Sequence, residues 1–91
     1  MLMVEREVTI INRLGMHARA AAKFVSLASQ FGAEIELEKG SRRVNGKSIM
    51  GVMMLAASRG STVRLFADGD DAEDAVQALI ELITSRFGEA E

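Results

Sequence analysis

The sequence predicts an α+β fold, a four-stranded antiparallel sheet carrying three helices on one face. Three observations lead there. The strand-like segments alternate apolar and polar residues, so one face of the sheet is buried and the other meets water. Between them lie segments whose apolar residues recur at helical spacing. The order is strand, helix, strand, strand, helix, strand, helix, and no linker, repeat or low-complexity stretch divides the 91 residues. The chain is read as one domain spanning 1–91, enough for a modest core.

The elements follow in order. Val4 to Ile11 reads as a strand, with Val8 and Ile10 on one face and Glu7 and Thr9 on the other. Asn12 to Met16 is a loop containing Gly15. Ala18 to Phe31 reads as the first helix, with Ala21, Val25 and Ala28 on one stripe, Phe24 and Phe31 beside it, and Gly32 ending it. Ala33 to Glu38 alternates strictly, Ile35 and Leu37 inward and Glu34, Glu36 and Glu38 outward. Arg42 to Asn45, around Val44, pairs with it as a hairpin across Lys39-Gly40-Ser41. After the Asn45-Gly46 turn, Ser48 to Ala56 is a short apolar helix. Thr62 to Ala67 is the last strand, followed by the Asp68-Gly69-Asp70 turn. Asp71 to Phe87 is the last helix, with Ala72, Val76, Leu79 and Ile83 on one stripe widened by Ala75 and Leu82. Its acidic first turn (Asp71, Glu73, Asp74) complements the helix dipole.

Composition narrows the function. Hydrophobic residues make up 48% of the chain, which favours folding over disorder. The absence of cysteine excludes disulfides, thiol catalysis and thiolate metal sites, and with a single histidine no zinc site is expected. A net charge of −2 leaves no electrostatic footprint for nucleic acid. No apolar stretch is long enough to span a membrane, and Glu5, Arg6 and Glu7 come too early for a signal peptide. A cytoplasmic location is expected.

The lone histidine, His17, stands in front of the alanine-rich segment Ala18-Arg19-Ala20-Ala21-Ala22-Lys23-Phe24, at the N-cap of the first helix. Caps are ordinarily Ser, Thr, Asp or Asn, and first turns carry Asp or Glu. Here the cap is an imidazole and the first turn carries Arg19. The positive helix end lacks a side-chain anion of its own and has gained a cation, which suits an anion arriving from outside. The chemistry this allows is phosphoryl capture. Neutral imidazole is the nucleophile, so no general base has to remove a proton. The amides of Ala18 and Arg19 can donate to phosphoryl oxygens, and Arg19 adds charge-assisted bonds. Ala18, Ala20 and Ala21 leave room for a partner. A carboxylate orienting the ring fits this chemistry, but the sequence does not single one out. The alternative is a solvated loop histidine beside a surface arginine.

A second cluster is Ser48-Ile49-Met50-Gly51-Val52-Met53-Met54-Leu55. Its helix is apolar on every side, so part of Ile49, Met50, Met53 and Met54 should be exposed as an adaptable docking patch, the rest serving the core. Ser48 reads as a plain N-cap. Phosphorylation there would put about two negative charges into the patch and oppose docking.

At these two motifs the chain resembles a known family. Gly15-Met16-His17-Ala18-Arg19-Ala20-Ala21-Ala22 is similar to the active-site motif of the HPr family, the histidine-containing phosphocarriers of the bacterial phosphoenolpyruvate-dependent phosphotransferase system. Val44-Asn45-Gly46-Lys47-Ser48-Ile49-Met50-Gly51-Val52-Met53 is similar to its regulatory-serine motif. The resemblance covers nearly the whole chain. It implies an open-faced β-sandwich, with His17 and Arg19 as the catalytic pair and Ala18 and Arg19 as phosphate ligands. It implies transfer to His17 Nδ1 from phosphorylated enzyme I and onward to an enzyme IIA domain. The protein would be a carrier with a transient phosphohistidine rather than a stand-alone enzyme, monomeric, without cofactor or metal. Ser48 matches the serine modified by HPr kinase/phosphorylase where that enzyme exists. Met16, Ala22, Ile49, Met50 and Met53 fall where partners dock. Ala20 replaces the proline usual in the sugar-transport branch, as in the nitrogen-related branch and many proteobacterial members, so the downstream pathway is sugar uptake or nitrogen-type regulation. Losing that proline should loosen the helix start slightly. Lys23 is the only lysine of the first helix, which implies weaker docking to acidic partners.

Two other functional classes follow from the same residues. One is a regulatory docking protein controlled at Ser48. The other is a small ligand-binding domain without phosphotransfer, which has only the fold class behind it.

Overall fold

A computed structural model describes residues 3–91. The elements are β1 (Met3–Thr9), α1 (Ala18–Ala28), β2 (Glu34–Lys39), β3 (Arg42–Asn45), α2 (Ile49–Met54), β4 (Thr62–Asp68) and α3 (Ala72–Thr84), followed by one 3₁₀ turn at Arg86–Gly88. The four strands form one antiparallel sheet in the order β1-β4-β2-β3, with the helices on one face, the open-faced sandwich the sequence suggested.

Period-2 alternation sets the faces. Val8, Ile35, Leu37, Val63 and Leu65 point under the helices and are buried there with Phe24 of α1, Val52 of α2 and Val76, Leu79 and Ile83 of α3. Removing a fully enclosed aromatic such as Phe24 costs about 3–5 kcal/mol, because the lost transfer energy is joined by the cavity left behind. On the open face Arg64 lies opposite Glu7 and Glu38 and reaches three carboxylates, 3.6 Å from Glu5, 3.8 Å from Glu38 and 3.9 Å from Glu7. These pairs are exposed, so each adds little to stability.

That face is not wholly polar. Phe66 also points outward, opposite Glu5 and Glu36, yet is only 8% exposed. The Arg43 guanidinium of β3 lies 3.7 Å from the ring centroid, and its Nε donates to Glu36 at 2.9 Å. A cation–π stack thus covers an aromatic on the side facing water.

Several ends fall short of the sequence expectation, each for a tertiary reason. The first strand stops at Thr9 rather than Ile11, because Thr9 pairs with the first residue of β4, Thr62. Helix α1 ends at Ala28 rather than Phe31. The Asp71 carboxylate accepts from the amides of Gly32 and Ala33, both at 2.8 Å, and holds the following residues in a non-helical path. For the same reason Asp71, although at the N-cap of α3, makes no cap bond to its own helix. Helix α2 begins after Ser48 and ends at Met54. Arg42 Nη1 donates to Met54 C=O at 2.8 Å and Lys39 Nζ to Ala56 C=O at 3.0 Å, so the β2–β3 hairpin satisfies the end of that helix. Helix α3 ends at Thr84, not Phe87, because Arg86 (φ 60°) and Phe87 (φ 54°) reverse the chain while Phe87 stays fully buried. No helix among the described residues is long and apolar enough to cross a membrane.

Candidate active site at the start of α1

The approach to His17 is fixed by backbone contacts. Asn12, fully buried, donates from Nδ2 to Gly15 C=O at 2.8 Å, and Gly15 N–H donates to Asn12 C=O at 3.1 Å. Met16 N–H donates to Ala57 C=O at 2.8 Å. Gly15 has φ +66°, and a Cβ there would lie 2.6 Å from Ala57 O and 2.8 Å from Ser58 Cα, so no other residue fits without moving the backbone. Met16 is only 5% exposed and belongs to the core. It anchors the loop and leaves almost no surface for a partner, contrary to its expected place in the docking surface.

His17 occupies the N-cap in an extended conformation (φ −75°, ψ 178°) and makes no side-chain cap bond. The first intrahelical bond runs from Ala21 N–H to His17 C=O at 2.8 Å, so the amides of Ala18, Arg19 and Ala20 precede the helical ladder. No acid lies in the first turn of α1. Ala20 and Ala21 are buried and seat the helix, whereas Ala18, Arg19, Ala22 and Lys23 are exposed. The Arg19 guanidinium makes no ion pair among the described residues, consistent with a group held ready for an external anion.

The carboxylate that the sequence left unidentified is Glu89. Its Oε2 accepts from His17 Nε2, and its Oε1 accepts from Asn12 Nδ2 at 3.0 Å. Both side chains are mostly enclosed, His17 27% and Glu89 17% exposed. The hydrogen bond from Asn12, then the one from His17, holds the Glu89 carboxyl below the ordinary Glu value of 4.5. An ionised carboxylate can only accept, so the Nε2 position carries the proton. In the neutral ring the lone pair therefore lies on Nδ1. The helix end is thus not wholly without an anion: Glu89 supplies one from a distant segment, directed at the ring rather than at the amides.

His17, Ala18 and Arg19 share a cavity of about 670 Å³ with Arg13, Leu14 and the tail from Glu89 to Glu91. The tail is tied down at Arg13, whose N–H donates to Glu91 C=O at 2.8 Å and whose Nη1 donates to the Glu91 carboxylate at 2.9 Å. Among the described residues no cluster of His, Cys, Asp and Glu could hold a metal ion.

The second cluster lies apart from the first. Ser48 caps α2, its Oγ accepting from Gly51 N–H at 3.1 Å. Lys47 Nζ donates to Phe31 C=O at 2.7 Å, so this end of α2 adjoins the residues following α1. The opposite end of α2 leads to Ala57, which meets Met16. The two helices therefore run antiparallel, with Ser48 and His17 at opposite ends of the pair. Ile49 (44%), Met50 (74%), Met53 (41%) and Met54 (57%) are exposed, while Val52 fills the core. These exposures agree with an uncovered apolar patch.

Comparison with known proteins agrees with this arrangement. Residues 4–85 match the family model described as PTS HPr component phosphorylation site. The phosphocarrier protein HPr of Cupriavidus necator is 54% identical over 98% of this chain and all of its own, and that of Neisseria meningitidis is 52% identical over the same shares. The crystal structure of an HPr from Thermoanaerobacter tengcongensis superposes with a TM-score of 0.93 at 50% identity, covering 97% of this chain and 99% of the other. The sequence motifs, the open-faced fold and these full-length likenesses agree, and the chain belongs to the HPr family of phosphocarrier proteins of the phosphotransferase system.

Proposed function

We propose that His17 Nδ1 accepts a phosphoryl group from phosphorylated enzyme I and passes it to an enzyme IIA domain. The observation that carries this is the Glu89 contact to Nε2, which leaves the Nδ1 lone pair as the attacking group. As the Nδ1–P bond forms, the bond between phosphorus and the donor breaks, and the donor keeps the electron pair. Positive charge grows on the His17 ring, and the Glu89 carboxylate, already in place, stabilises it without reorganisation. The phosphoryl oxygens carry their negative charge beside the amides of Ala18 and Arg19 and the Arg19 guanidinium. The reverse attack, by a nucleophile of the acceptor, returns the electron pair to Nδ1. Ala22, Ile49, Met50 and Met53 are the exposed residues best suited to hold these partners, Met being adaptable to more than one surface.

The test is incubation with phosphoenolpyruvate and enzyme I, followed by phosphorus NMR. An acid-labile phosphohistidine on the wild type and none on His17→Ala is expected. Full labelling of His17→Ala would refute the assignment. A panel of sugar-type and nitrogen-type IIA domains then identifies the downstream branch.

One observation favours a second role in regulation. Ser48 Oγ, half-buried, stands at the edge of the exposed Ile49–Met50–Met53 surface. A phosphate there sets about two charges against an apolar interface. Unchanged partner affinity of Ser48→Asp would count against this role.

A further inference from the structure

We infer that a second cleft, formed by Arg13, Arg59, Gly60 and Arg86 on the other side of the 89–91 tail, binds a small polyanion carrying two or more phosphate or carboxylate groups. Most of the cationic side chains described here are already engaged: Arg6 with Glu73, Arg43 with Glu36, and Lys23, Lys39, Arg42 and Lys47 with backbone carbonyls. Arg59 and Arg86 have no such partner among the described residues. Both line one cleft of about 730 Å³, together with Arg13.

The backbone delivers Arg86 to this cleft. Arg86 and Phe87 both adopt left-handed φ, a conformation that non-glycine residues keep only when their surroundings impose it. Here Phe87 is fully buried and its C=O accepts from Lys23 Nζ at 2.6 Å. The same reversal that sends Phe87 inward leaves Arg86 exposed. Among the described residues Glu91 is the only acidic one lining the cleft, and its side chain sits on Arg13 at 2.9 Å. An internal anion thus already shows the kind of group the cleft accepts. Guanidinium forks bind phosphate and carboxylate oxygens in pairs, and the volume falls within the range of small-molecule pockets. A polyanion reaching all three arginines has to displace Glu91 from Arg13. Because Arg13, Ala90 and Glu91 also line the His17 cavity, the tail is the wall shared by both sites. The binding itself stands independently of phosphoryl transfer at His17.

The test is calorimetric titration of the full chain at low ionic strength with pyrophosphate, and in parallel with citrate; the tighter of the two tells whether phosphate or carboxylate is preferred. Arg59→Gln/Arg86→Gln should weaken binding by about tenfold or more, since two charge-assisted contacts are lost. Glu91→Gln should tighten it several-fold by removing the competitor, a change of sign that a folding defect would not produce. Arg19→Gln should leave it within about twofold, because Arg19 is not among the residues lining this cleft. The inference is overturned by an absence of binding to either probe at millimolar concentration. It is equally overturned if Arg19→Gln abolishes binding while the double variant retains it, which puts the anion at His17, or if Glu91→Gln fails to tighten it.

Discussion

The starts of α1 and α2 solve the same problem in opposite ways. Both helices expose a ring of unpaired amides. Ser48 answers with its own hydroxyl, which accepts from Gly51 at 3.1 Å. His17 makes no cap bond, and its ring turns instead to Glu89. One helix is closed by its own chain and the other is left open to an incoming group. The start of α3 is a third case: Glu73 and Asp74 complement its dipole, while Asp71 is spent on Gly32 and Ala33. Of the two helix starts without a side-chain cap bond, α1 and α3, only α1 also lacks an acid in its first turn, and that is the one left open to an incoming anion.

Exchanging the two solutions gives the largest expected effect. His17→Ser should close α1, gaining about 1 kcal/mol from the new cap. Part of that gain is offset by the lost Glu89 contact, itself partly exposed. Phosphoryl acceptance should vanish while urea denaturation stays within about 1 kcal/mol of the wild type. A variant that unfolds instead would show that the ring, not the open helix end, holds the region together.

Glu89→Gln comes next. The amide keeps the shape but removes the charge that stabilises the imidazolium, and transfer from enzyme I should slow roughly tenfold, equivalent to about 1.4 kcal/mol of barrier. An unchanged single-turnover rate would make Glu89 a structural tether only. Because the Glu89 carboxyl is lowered in the fold, its contribution is present above the ordinary value of 4.5 and is lost as pH falls through the lowered one. The wild type should therefore lose its rate advantage over Glu89→Gln only in that acid range.

Ser48→Ala should cost about 1 kcal/mol of stability through the lost cap while leaving phosphorylation of His17 intact. A loss of transfer would mean that the two helix starts are coupled. The smallest effect belongs to Asp71→Asn. The backbone amide of Gly32, first among several contacts, holds the Asp71 carboxyl below its ordinary 3.8. Its stabilisation is complete above that value and fades as pH falls through the lowered one. The variant should melt slightly lower at neutral pH, and the gap should close in acid; a constant gap would assign the effect to packing.

Much of this was legible in the sequence because it is local. Strict alternation in Glu34–Glu38 gave the buried face of β2, and the absence of an acid around His17 gave the open helix end. What was hidden depends on residues far apart in the chain. Glu89 follows the last helix and carries no pattern of its own; the Arg86–Phe87 reversal, the Arg13–Glu91 tie and the Asn12 hydrogen bond bring it to His17. Asn12 looked like loop punctuation, yet it orients both Gly15 and Glu89. Phe66 sits in the run Leu65-Phe66-Ala67, where alternation cannot say that Arg43 of another strand covers the outward ring. Met16 shares a motif with His17, and motif membership says nothing of which way a side chain points.

The strand order β1-β4-β2-β3 has a consequence for how the chain acquires its structure. Strand β4 is the last to leave the ribosome, yet it lies between β1 and β2. Until it emerges, β1 has no strand to pair with and only the β2–β3 hairpin can close locally. Sheets that depend on such long-range pairing form slowly relative to those built from neighbours. The sheet should therefore form nearly all at once, and only after β4 has emerged. The positioning of His17 awaits the same event, since Ala57, which receives the Met16 amide, lies just ahead of β4.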